Sequence, residues 1–144
     1  MLDWGRGVWT YANTWYWSSL STLADGEPFG FNLGDGFGDD GAATENMLFY
    51  GGKAHKLGRV RFCIPRRRGK EDFMGQWTLA DDAGRLDLVF LPVLDRAART
   101  SAGVISSDQH QVFGEFTGRA VLDDGRIIQI RQAMGFAEKV RNRW

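Results

Sequence analysis

Short runs of alternating apolar and polar residues, each ended by a tight-turn signal, dominate the chain from residue 14 onward, and this is the pattern of antiparallel hairpins. Turn signals stand at Asp25-Gly26, Gly51-Gly52, Asp81-Asp82-Ala83-Gly84 and Asp124-Gly125. Around the first, residues 14–23 return as 27–33, with Phe29, Phe31 and Leu33 on one face and Gly30 and Asn32 on the other. Around the second, residues 46–50 return as 53–64, where Val60, Phe62 and Ile64 alternate with Arg59, Arg61 and Cys63. Residues 73–80 pair with 85–91 by the same logic, and 109–122 with 126–131. One segment reads as helical: over residues 132–141, Ala133, Phe136, Ala137 and Val140 share one face of a 3.6-residue repeat, although Gly135 weakens it by about 1 kcal/mol relative to alanine. Strands and long helices do not alternate, so a doubly wound parallel sheet is disfavoured. The pattern predicts one all-β domain over residues 1–144, an antiparallel up-and-down barrel of about eight strands with one short C-terminal helix.

Composition makes the core unusually bulky. In 144 residues there are six Trp and ten Phe, with 43% hydrophobic and 25% charged residues, so the chain is globular and some rings are expected to line a cavity or an interface. Eighteen basic residues balance eighteen acidic ones, leaving no global field to hold nucleic acid or a membrane surface. Cys63 is the single cysteine, which excludes an internal disulfide and a multi-cysteine metal site and fits a reducing compartment. The opening Met-Leu-Asp-Trp-Gly-Arg lacks the apolar run of a secretion signal, and no stretch approaches membrane-spanning length, so a cytoplasmic protein is expected.

Candidate chemistry begins in the loop Gly34-Asp35-Gly36-Phe37-Gly38-Asp39-Asp40-Gly41. Gly36, Gly38 and Gly41 spell GxGxxG, but a dinucleotide cradle needs a following helix and an acidic residue about twenty positions on. Here the chain returns to strand after Glu45, the expected acidic position falls among Gly58 and Arg59, and three aspartates would repel phosphate. Asp35, Asp39, Asp40 and Glu45 offer hard oxygens to calcium, yet outside the DxDxDG register. Asp and Gly also favour tight loops for backbone reasons alone, and no metal or other cofactor is expected.

For acid–base work the candidates are Glu45, Asp95 and His110. Asp95 is followed by Arg96, a pairing common in structural clamps, and His110 opens a strand from which its ring could face the interior. Ser106-Ser107-Asp108 lacks a nucleophile elbow. Arg66, Arg67, Arg68 and Lys70 form the one basic run, read as a solvated hairpin loop, with an anion or nucleic-acid contact as the lesser alternative. The Gly7-Val8-Trp9 triplet resembles the Gly-x-Trp device that closes one end of a lipocalin barrel, with Arg131, Arg141 or Arg143 available to stack on the indole.

The blocks "LDWGRGVW", "FNLGDGFGD", "ATENMLFY", "LPVLDRAA", "SSDQHQVFGEFTG" and "GFAEKVRNRW" together resemble the C-terminal half of the bacterial family called domain of unknown function 2804, over essentially the whole chain. Members of that family are usually longer, with an N-terminal half. Their general character is similar to lipocalin-like two-domain proteins of the carotenoid hydratase type. The resemblance implies functional weight for the polar positions Trp4 and Arg6, Asn32 and Asp39, Glu45 and Asn46, Asp95 and Arg96, His110, and Glu138 with Asn142. It also implies a surface that a second half would cover, and hence a homodimer.

The function expected is binding of an apolar or amphipathic small molecule in an aromatic-lined barrel cavity, the partner being a hydrophobic small molecule and neither nucleic acid nor membrane. Trp15, Trp17, Phe29, Phe31, Phe113 and Phe116 would supply area, and Arg6, Asn32, Glu45, Asp95 and His110 orientation. The rivals are a hydratase, isomerase or cyclase using Glu45 or Asp95 as acid and His110 as base, and a structural module that survives by dimerising. A cavity lined by two or more of these polar groups favours binding or catalysis. A barrel filled by Trp and Phe favours the structural module.

Overall fold

The computed structural model describes residues 10–39, 41 and 43–144, and among these every regular element is a strand. In chain order they are β1 (Ala12–Ala24), β2 (Glu27–Asp35), β3 (Met47–Tyr50), β4 (Lys53–Lys56), β5 (Val60–Cys63), β6 (Arg66–Arg67), β7 (Lys70–Glu71), β8 (Trp77–Asp81), β9 (Leu86–Ala102), β10 (Ile105–Val121) and β11 (Ile127–Arg143). Nine of them form one antiparallel sheet in the order β4-β3-β2-β1-β11-β10-β9-β8-β5, and β6 and β7 form a separate small hairpin. The expected all-β antiparallel architecture is therefore present. It takes the form of a curled sheet, a trough in cross-section, whose two edge strands β4 and β5 are not hydrogen-bonded to each other.

Two wings make up the trough. Strands β1 to β4 are one meander, and β5 with β8 to β11 is the other. The wings join through the β1–β11 ladder, which runs from Ala12 opposite Arg143 to Leu20 opposite Gly135. At the far edges they are joined covalently, because only residues 57–59 separate β4 from β5 and so hold those two edges within about 14 Å. At the same end His55 Nδ1 of β4 lies 3.2 Å from Asp123 Oδ2 in the β10–β11 turn. Arg85 Nη1 donates to the Lys56 carbonyl at 2.8 Å, and Arg85 Nη2 to Asp123 at 2.6 Å.

Alternation fills this closed end. Inner-facing Leu20, Phe29, Phe31, Leu33, Leu48, Trp77, Leu79, Leu86, Leu88, Phe90, Val112, Phe116, Ile128 and Ile130 are buried in a single cluster. Phe116 packs edge-on against Phe31 at 5.2 Å and tilted on Phe90 at 4.5 Å, while Trp77 meets Phe90 at 5.7 Å. Backbone approach is close here: Gly118 has φ +150°, and a β-carbon on it would collide with the Asp87 carbonyl.

Three expectations are corrected. Residues 132–141 are not a helix but part of β11. Ala133, Gly135, Ala137, Lys139 and Arg141 face inward and Met134, Phe136, Glu138, Val140 and Asn142 outward, as their partners on β10 and β1 require. Both faces carry buried residues, so a period of two imitates the helical spacing, and a ladder irregularity with Gln132 at φ 47° shifts the phase between Ile130 and Ala133. The stretch 53–64 is not one strand, because it breaks at 57–59 and β5 pairs with β8 on the opposite wing. Strands β9 and β10 are also much longer than expected and form their own hairpin through residues 103–104.

Candidate functional site

Where β1, β9, β10 and β11 run past the apolar cluster, the inner face changes character. Register puts Thr14 opposite Arg141, Tyr16 opposite Lys139, His110 opposite Lys139 and Asp108 opposite Arg141, so polar side chains line the trough in adjacent rows. Asp95 stands opposite Val112 on the neighbouring strand, diagonal to His110. His110 Nδ1 donates to Asp95 Oδ2 at 2.7 Å, and His110 Nε2 lies 3.8 Å from Asp108 Oδ1. The other Asp95 oxygen, Oδ1, is buried with no hydrogen-bond partner among the described residues.

Residues 64–76, between β5 and β8, cross over this polar region. The hairpin β6–β7 turns tightly at Arg68-Gly69, and the segment after it brings Glu71 and Phe73 down into the trough. Glu71 Oε1 accepts from Lys139 Nζ, and Glu71 Oε2 accepts from Arg141 Nη2 at 2.7 Å. Lys139 is buried in consequence and also sits 4.9 Å above the Tyr16 ring, which stacks on Phe62 across the trough. The Phe73 ring lies flat on the His110 imidazole, with centroids 3.6 Å apart and planes 4° from parallel. Trp77 Nε1 fixes the segment by donating to the Phe73 carbonyl at 3.1 Å.

Electrostatics bind this segment to the sheet. Partial burial alone would raise the Glu71 pKa, but the Lys139 hydrogen bond and the charges of Lys139, Arg141 and Arg66 outweigh it and hold the carboxyl below its ordinary value of 4.5. The same balance acts at the closed end, where desolvation of Asp123 is outweighed by hydrogen bonds from Arg85 and His55, and its pKa is lowered.

The candidate residues from the sequence separate into distinct places. Asp95 and His110 come together on the inner face. Trp15 and Trp17 are on the outer face: Trp15 packs on Phe37 at 4.8 Å, and Trp17 meets Phe136 edge-on while its Nε1 donates to Asn32 Oδ1 at 2.8 Å. Glu138 is also on that face, buried, and accepts from Gln111 Nε2 at 2.9 Å. Arg96 is exposed there. Of the rings expected around a cavity, Phe29, Phe31 and Phe116 are packed solid in the apolar cluster, and Phe113 faces outward near Phe136.

Asp39 and Glu45 share a depression of about 340 Å³ at the loop after β2, lined also by Gly34, Phe37 and Thr44. Asp39 Oδ1 caps the loop by accepting from the Gly41 amide at 3.0 Å, and Glu45 lies over Gly34 so closely that a β-carbon there would strike its carboxylate. Asn46 is fully buried. Its Oδ1 accepts from Gly34 N at 2.6 Å and its Nδ2 donates to the Gly58 carbonyl at 2.9 Å, pinning the loop to the 57–59 connector. Trp4, Arg6, the Gly7-Val8-Trp9 triplet and Asp40 lie outside the described residues.

No helix follows the GxGxxG loop, so its glycines face no helix N-terminus that could hold phosphate. Among the described residues no three His, Cys, Asp or Glu side chains converge as a metal site, and no helix is long and apolar enough to cross a membrane. Sequence reading missed Tyr16, Glu71, Phe73 and Lys139, set Asp108 aside with Ser106 and Ser107, and offered Arg141 only for stacking on Trp9. The alternation of Lys139 and Arg141 with Glu138 and Val140 would have signalled a strand with two cations on one face, had the helical reading not absorbed it.

Neither the curated proteins nor the solved structures contain a match to this sequence. A family model described as Domain of unknown function (DUF2804) matches residues 1–144, and the chain belongs to that family.

Proposed function

We propose that the protein binds an amphipathic small molecule at the polar end of the trough, as a lipocalin-like half-barrel, with Asp95 and His110 orienting the polar group of the ligand. The observation that carries this reading is the Asp95–His110 pair, whose second carboxylate oxygen is buried without a partner among the described residues. An unsatisfied buried acceptor costs about 1–3 kcal/mol, and such groups persist where a ligand donor can meet them. The apolar end is filled by Trp77, Phe90 and Phe116, so the ligand belongs at the open end beside Tyr16, Phe62 and Phe73. A small number of polar groups beside aromatic area is the usual make-up of a small-molecule site.

One observation favours a catalytic second reading. With Nδ1 held by Asp95, the Nε2 of His110 is oriented as a proton acceptor, the arrangement a hydratase or isomerase requires of its base. Exposed Leu91, Val93, Leu94 and Met134 on the outer face support self-association as a homodimer.

Native mass spectrometry of the protein purified from its host tests the binding reading. A retained small molecule is expected on the unaltered protein and its loss on His110→Ala and Asp95→Asn proteins of unchanged circular dichroism. The reading falls if no small molecule is retained and no amphipathic ligand raises the melting temperature in a His110-dependent way.

A further inference from the structure

We propose that the segment 64–76 is a lid whose own side chains occupy the ligand site, and that the ligand displacing it is a carboxylic acid carrying a planar aromatic or conjugated group. This rests on the reading that the polar trough binds a small molecule, and it names the class of that molecule.

The lid supplies two complementary pieces. Glu71 divides its two carboxylate oxygens between Lys139 and Arg141, side chains that project inward from alternate positions of β11. Two residues further on, the ring of Phe73 covers the imidazole of His110, the register partner of Lys139 on β10. The sheet therefore presents two cations beside a flat stacking surface, and its own lid answers with an anion beside a flat ring. A ligand that joins a carboxylate to a planar group replaces both contacts like for like. Ring stacking, charge-assisted hydrogen bonds and the Asp95-held imidazole would all be retained on exchange.

The lid also stands outside the main sheet, tied to it by side chains such as Ile64, Glu71 and Phe73. Its strands β6 and β7 pair only with each other, over Arg66–Glu71 and Arg67–Lys70, and do not join the nine-stranded sheet. An isolated two-stranded hairpin is at best marginally stable in water, so the Glu71 and Phe73 contacts and the Trp77 hydrogen bond hold it down. Elements with few packed contacts open at low free energy. The exposed Arg66, Arg67, Arg68 and Lys70 around the turn would draw an anionic ligand towards the same opening.

The test uses 2-naphthoate and its neutral counterpart 2-naphthamide, titrated calorimetrically into the unaltered protein and into Glu71→Gln, Phe73→Leu and Arg141→Gln proteins. Hydrogen exchange across residues 65–75 is followed in parallel. Naphthoate is expected to bind at least about tenfold more tightly than the amide and to raise exchange at Arg66 to Glu71. Removing the internal competitor in Glu71→Gln or Phe73→Leu is expected to tighten naphthoate binding by about tenfold, the factor for a lid open about one-tenth of the time. Arg141→Gln is expected to weaken it. Phe73→Leu keeps the ion pair with Lys139 and carries the test if Glu71→Gln does not fold. Equal binding of acid and amide, or binding that leaves lid exchange unchanged, overturns the lid while leaving a His110-dependent site standing. Absence of any His110-dependent binding overturns the site and the lid together.

Discussion

Along β10 the inner-facing residues run Phe116, Gly114, Val112, His110 and Asp108, so one strand passes from the centre of the apolar cluster to an ion-pair network without changing face. The two ends of the trough thus share a scaffold and differ in how burial is satisfied. At the closed end, hydrocarbon is removed from water by hydrocarbon, each buried Leu or Phe contributing on the order of 2–3 kcal/mol. At the open end, Lys139 is withdrawn from water beneath Glu71 and Asp95 is partly covered beside His110, and such groups stabilise little beyond the desolvation they suffer. The closed end therefore holds the fold, and the open end contributes less to it.

The largest expected effect comes from breaking the closed end. Phe116→Ala removes a ring packed between Phe31 and Phe90 and should cost about 3–5 kcal/mol in chemical denaturation; a loss below about 1 kcal/mol would mean that the apolar cluster does not carry the stability. Next is Asn46→Ala, which removes the acceptor of the Gly34 amide and leaves the Gly58 carbonyl with only the 3.3 Å bond from the Thr44 hydroxyl, and should cost about 1–3 kcal/mol. The same variant should retain ligand binding at the trough, marking Asn46 as a brace between loop and connector.

Acidification weakens carboxylate contacts at both ends, at Glu71 and at Asp123, and the segment that lies outside the main sheet is expected to respond first. Because the Glu71 carboxyl is held below 4.5, its contribution to stability is complete above that range and is lost as pH falls through the lowered value. Hydrogen exchange from pH 7 to about 3 should show residues 65–75 loosening while the Phe116 and Trp77 amides stay protected; simultaneous loss at both ends would show that lid and core are one unit. The smallest effect on stability is expected for His110→Gln, about 1 kcal/mol or less in thermal melts, because the Asp95–His110 pair is partly exposed to solvent. Its signature is lost binding in a protein of nearly unchanged melting temperature.

How legible each end was in the sequence follows from the same contrast. Phe29, Phe31 and Leu33 alternate with Gly30 and Asn32, and Leu86 and Leu88 flank Asp87, so the closed end and its Asp25-Gly26 and Asp124-Gly125 hairpins could be read directly. The outer reach of β9, Asp95 to Ala102, has no apolar alternation because it is largely exposed on both faces, and its turn at Gly103 lacks an Asp or Asn, so the β9–β10 hairpin left no local signal. Asp95 and His110 were recognisable as titratable groups in mixed surroundings, but their contact depends on cross-strand register. Glu71 and Lys139 are 68 positions apart and meet only because an excursion outside the sheet folds over it, which no local pattern records.

The short 57–59 connector and the distant β1–β11 ladder also set an order of events in time. Each wing can form from neighbouring hairpins, and the connector keeps their outer edges together once both exist. The ladder that zips the wings pairs Ala12 with Arg143 and Ser18 with Ala137, closing nearly the longest loop the chain allows. Such non-local pairing forms late and slowly. A substitution in that seam, such as Ser18→Ala, which loses the hydroxyl bond to the Phe136 carbonyl, should accelerate unfolding and leave the refolding rate almost unchanged in stopped-flow measurements. An equal slowing of refolding would put the seam in the folding nucleus. The ladder expected to close last runs alongside the Lys139 row, so the proposed ligand site is expected to be assembled late in folding.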